Sequence, residues 1–113
     1  MAAPTIDAAT FAELQASAGA EFVAELVDTF LEEAPAMLEE LRDALAGERA
    51  EAFRRAAHSL KSNANTFGAL ALGALARDLE LGGLEAGRPP GTLAALADEY
   101  ARVRADLQGL QRG

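Results

Sequence analysis

Apolar residues recur every three or four positions along nearly the whole chain, and no stretch alternates with the period of two that a half-buried strand needs. In "EFVAELVDTFLEEAPAMLEELRDALA", residues 21–46, the residues Phe22, Val23, Leu26, Val27, Phe30, Ala34, Met37, Leu38, Leu41 and Leu45 make one stripe. The Asn-Gly and Asp-Gly signals of tight hairpins are missing. A chain patterned this way stabilises itself by packing helix against helix.

The punctuation divides the pattern into segments. A short helix is expected from Asp7 to Ala18, capped by Asp7 or Thr5 and ended by Gly19. The stripe from Glu21 to Ala46 stays in phase across Pro35. It predicts one long helix kinked before Pro35, or two nearly collinear ones. Further helices are expected over Glu48–Thr66, Ala69–Glu85 and Thr92–Leu110, separated by Gly47, Gly68 and the loop "GRPPG". Gly82-Gly83 weakens the end of the fourth. Four long amphipathic helices with short connections predict an all-α, antiparallel four-helix bundle with a short additional N-terminal helix. The 113 residues fit a single domain, 1–113.

A net charge of −8 argues against nucleic acid as a partner. No cysteine is present, which removes disulfides, thiolate metal sites and cysteine nucleophiles together. The longest uncharged run, Ser62–Ala76, is broken by Ser, Asn and Gly and falls short of the ~20 apolar residues of a membrane span. "MAAPTIDAATFAEL" lacks a basic stretch followed by an apolar one, so no secretory signal is read. A cytoplasmic protein and a monomer, with no membrane contact, are expected.

The one histidine of the chain lies in "AAHSLKSNANTFGA", residues 56–69. On a helical wheel Phe53, Ala56, Ala57, Leu60, Ala64 and Phe67 share one sector, whose centre lies roughly 150° from His58. The core face is complete without the imidazole, so His58 is expected to face water. Arg54 and Arg55 lie one turn before it, Lys61 and Ser62 one turn after, and Glu51 and Asn65 two turns away. Four of the ten basic residues (Arg49, Arg54, Arg55 and Lys61) fall in this helix. The bland account is a solvated face that happens to carry a histidine. A metal site needs several converging ligands and is not expected from one His. Hydrolase chemistry lacks a G-x-S-x-G elbow, and Ser59 lies about 100° round the helix from His58. An exposed imidazole among cations suits phosphoryl transfer: the neutral ring is a nucleophile, and nearby positive charge favours that neutral form and meets the phosphoryl oxygens. Lys61 is the cation expected to do so. Ser62 is small enough to let a bulky donor approach.

This stretch resembles the signature of histidine-containing phosphotransfer domains, the helical relays of bacterial multistep phosphorelays. His58 matches the phosphoacceptor, Leu60 the core position, Lys61 the basic residue one turn on, and Gly68 with Ala69 the small pair that closes the helix. The position after the lysine is often glycine in the family and is Ser62 here, which preserves access. "FVAELVDTFLEEAPAMLEELRDAL" before the motif and "LARDLE" after it are similar to the family's flanking helices, so the resemblance covers nearly the whole chain.

The resemblance implies a phosphocarrier without ATP-dependent kinase activity of its own. A receiver's aspartyl phosphate would donate to His58, and a second receiver would take the group on. Partners would be response-regulator receiver domains, including those of a hybrid histidine kinase. The chain would bind no cofactor, magnesium being held by the receiver. Arg54, Arg55 and Asn65, with Ile6, Phe11 and Leu14 of the first helix, are candidate docking residues; Ile6, Phe11 and Leu14 serve equally well as core. A complete kinase is disfavoured because no glycine-rich phosphate loop is present. A phosphoacceptor domain of a larger chemotaxis-type or hybrid kinase, and a non-catalytic receiver-binding adaptor, remain alternatives.

Overall fold

The computed structural model describes residues 5–112. The elements are α1 (Ala8–Ala18), α2 (Ala20–Ala46), α3 (Ala50–Thr66), α4 (Leu70–Gly82), the single turn α5 (Leu84–Gly87) and α6 (Thr92–Arg112). The long helices pack in a closed ring: α2 on α3, α3 on α4, α4 on α6, and α6 back on α2. Val23, Val27, Phe30, Leu41, Phe53, Leu60, Leu72, Leu96, Val103 and Leu107 fill the centre. Phe30 stacks at a tilt on Phe67 with ring centroids 5.4 Å apart, and meets Tyr100 edge-on at 6.0 Å. Among the described residues no helix is long and apolar enough to cross a membrane.

α2 runs uninterrupted through Pro35, which lies on its exposed side. A proline cannot donate to the carbonyl four residues back, so the Leu31 carbonyl loses its helical partner. The Tyr100 hydroxyl of α6 donates to it across the bundle, at a long 3.4 Å. The vacated backbone acceptor thus ties two helices.

α1 is started by Asp7, whose Oδ2 accepts from the Thr10 amide at 3.0 Å and from the Thr10 hydroxyl at 2.5 Å. The Asp7 amide donates to the Gly68 carbonyl at 2.8 Å, which pins α1 onto the α3–α4 turn. Gly68 has φ +85°, and a Cβ there would sit 2.9 Å from the Asp7 carbonyl oxygen. Only glycine allows both the turn and the contact.

Two of the boundaries that differ from the sequence reading have a visible cause. α3 starts at Ala50, because Glu48 takes a left-handed φ of 56°. The Arg88 guanidinium holds that strained residue with bonds of 2.9 and 2.7 Å to the two Glu48 carboxylate oxygens. The helix expected to reach Glu85 stops at Gly82, where Gly83 turns the chain with φ 65° and donates its amide to the Leu79 carbonyl. Phe22, placed on the stripe of α2, is exposed, as are Leu75 on α4 and Leu110 on α6.

Candidate functional site

α3 is amphipathic, and its buried residues Phe53, Ala56, Ala57, Leu60 and Ala64 leave His58 outside the bundle. The His58 side chain is 60% exposed. Its Nδ1 lies 2.7 Å from Glu80 Oε2 on α4. A carboxylate only accepts hydrogen bonds, so in the neutral ring Nδ1 carries the proton and Nε2 carries the lone pair. The two ring nitrogens face nearly opposite ways, so with Nδ1 turned to α4, Nε2 turns away from it.

The Lys61 side chain is 26% exposed, and its ammonium stands 2.6 Å from Glu80 Oε1. That oxygen is cut off from solvent, and the approach of Lys61 makes an ion pair outside hydrogen-bond angles. The close contacts of Lys61 and then His58 hold the Glu80 carboxyl below its usual range, outweighing the opposing effect of burial. The Lys61 ammonium thus lies against Glu80, which also meets His58 Nδ1.

Glu80 is the site residue that sequence reasoning missed. It belongs to "LARDLE", one acid among 18, and nothing in α4 alone distinguishes it. The usable signal is the antiparallel register of α3 and α4 about the Gly68 turn. A Cβ on Gly73 would collide with the Asn65 side-chain amide, which places these two residues face to face. His58 is two turns back from Asn65, and Glu80 two turns on from Gly73.

Arg54 is tied to Glu51 by bonds of 2.9 and 2.8 Å. Arg54, Arg55, Ser59, Glu51, Glu80 and His58 together line a shallow depression of about 300 Å³. Ser62 is exposed beside it in the next turn. Gly68, of the small pair that closes the helix, is buried ten residues beyond His58 under α1, so its smallness serves the Asp7 contact and not access to the imidazole. Ile6 and Phe11 are buried in the core and Leu14 is half-buried against it. As freely exposed docking residues Ile6 and Phe11 are therefore corrected: capping by Asp7 turns this apolar edge inward.

A ring of helices that carries the chain's one imidazole on the outside, with Nδ1 against a carboxylate, has the arrangement of a histidine phosphotransfer domain. The chain matches the Hpt domain family over residues 25–113 and belongs to that family. It is similar in structure to histidine-containing phosphotransfer protein B (HptB) from Pseudomonas aeruginosa PAO1, with 29% identity and a TM-score of 0.86 over 98% of this chain and 97% of that one. A search of curated proteins found no match.

Proposed function

We propose that His58 carries a phosphoryl group between receiver-domain aspartates. The observation that carries this reading is the His58–Glu80 contact, which in the neutral ring puts the proton on Nδ1 and the lone pair on Nε2 of an exposed side chain. In the forward step Nε2 attacks the phosphorus of a receiver's aspartyl phosphate. The N–P bond forms, the P–O bond breaks, and the aspartate leaves with the electron pair. No proton has to leave the ring, because Nδ1 keeps its own. The ring becomes cationic, and the Glu80 carboxylate beside it stabilises that charge. The second receiver's aspartate reverses the step, with the imidazole as leaving group. Magnesium stays with the receiver. Ser62 leaves room for the receiver's aspartate, and Lys61 holds Glu80 in place. The protein acts as a cytoplasmic, monomeric carrier with no ATP-dependent activity of its own.

A phosphorylated receiver should label the wild-type protein with an acid-labile, alkali-stable phosphate, and ATP alone should not. In His58→Gln the label should disappear while helicity and melting stay near wild type. Label that survives this substitution places the acceptor elsewhere.

A further inference from the structure

The Lys61 ammonium stands against Glu80, the residue that also meets His58 Nδ1. On α3, Lys61 is displaced about 60° round the helix from His58 towards α4, whereas Arg55 is displaced about 60° the opposite way. The Glu80 contact turns Nδ1 to the Lys61 side, and therefore Nε2 to the Arg55 side. The ring also leans towards the turn that carries Arg55, because helical side chains point back to the N-terminus. Arg55 lines the depression beside the imidazole and Lys61 does not.

The ion pairs point the same way. Lys61 is occupied by Glu80 and Arg54 by Glu51. Among the described residues Arg55 has no ion-pair partner. It also borders a second depression, shared with Met37, Glu40 and Ser59, so its side chain has space on both sides. A phosphoryl group on Nε2 would enter the depression that the Glu51 carboxylate also lines, and a guanidinium with no competing partner offsets that repulsion.

The geometry points to Arg55 as the residue that binds the phosphoryl oxygens during transfer and in phospho-His58, with Lys61 positioning His58 through Glu80. This rests on His58 being the phosphoacceptor.

The test uses the full chain and two donors, a phosphorylated receiver and phosphoramidate. With phosphoramidate the N–P bond to Nε2 forms, the donor's P–N bond breaks, and ammonia leaves with the electron pair. This donor has no docking surface, so it separates phosphoryl binding from partner binding. Phosphorus NMR follows the appearance and decay of phospho-His58. With both donors Arg55→Ala should slow phosphorylation about ten- to a hundredfold and Arg55→Lys should restore most of it. A rate for Arg55→Ala equal to wild type with both donors overturns the assignment. So does a loss seen with the receiver alone, which makes Arg55 a docking residue. Absence of any phospho-His58 in the wild-type protein with either donor overturns the phosphocarrier reading itself.

Discussion

His58, Glu80 and Lys61 form a chain in which each member fixes the next. Lys61 sits against one Glu80 oxygen, the other accepts from Nδ1, and that bond sets which nitrogen of the neutral ring carries the proton. The contacts should be visible as a titration. The Glu80 carboxyl is held below its ordinary value of 4.5, chiefly by Lys61. A depressed carboxyl pKa contributes stability that is fully present above that ordinary value and is lost as pH falls through the folded-state value. Carbon NMR of the carboxylate should show Glu80 titrating below 4.5 in the wild type and higher in Lys61→Ala, with less acid-side loss of stability in that variant. An unchanged Glu80 titration would mean that the ion pair does not hold the carboxylate. The outward direction of His58 was legible from the wheel of α3. Its partner was not, because Glu80 acquires meaning only from its position across the α3–α4 seam.

Among the elements, α2 shows how a local rule can be met by distant chain. Pro35 should divide the stripe from Glu21 to Ala46, yet the helix continues, and the acceptor it vacates is taken by Tyr100 of α6. Pro35 is exposed, so little packing depends on its ring. Pro35→Ala should restore the backbone bond and stabilise the protein by about 1–3 kcal/mol in denaturant melts. Tyr100→Phe should then cost less in the Pro35→Ala background than in the wild type, because the Leu31 carbonyl has regained its own donor. Equal costs in both backgrounds would show that the 3.4 Å contact contributes nothing. The phase of the apolar residues made the continuity of α2 readable, whereas the compensating tyrosine was not. The breaks at Glu48 and Gly83 depend on a bidentate arginine bond and a left-handed turn, neither of which has a helical period.

Over the whole molecule, core and site share α3 but occupy opposite faces. This separates stability from chemistry. Leu60 is fully buried two positions from His58. Leu60→Ala should cost about 2–5 kcal/mol in chemical denaturation. Well below its melting temperature the variant should still accept phosphate at His58 within a few-fold of the wild-type rate. A loss of a hundredfold or more would mean that core packing sets the imidazole's position more tightly than the Glu80 bond does. The acidic surface leaves α3 as the concentration of positive charge, the face an anionic phosphoryl group on a receiver would approach.

Periodicity and spacing by themselves determined the helices, the bundle and the exposure of His58. These follow from which residues must leave water, and that preference is written at every position. The family was legible because its signature lies within one helix. Tertiary structure alone decided which nitrogen of His58 meets a carboxylate, that Lys61 pairs with that same carboxylate, and that Ile6 and Phe11 belong to the core. Each of these depends on a contact between segments far apart in the chain: α4 against α3 for the histidine and its cations, and Asp7 against Gly68 for the first helix. A helical wheel gives a residue's direction around its own axis; the neighbour it meets there is set by the register between helices.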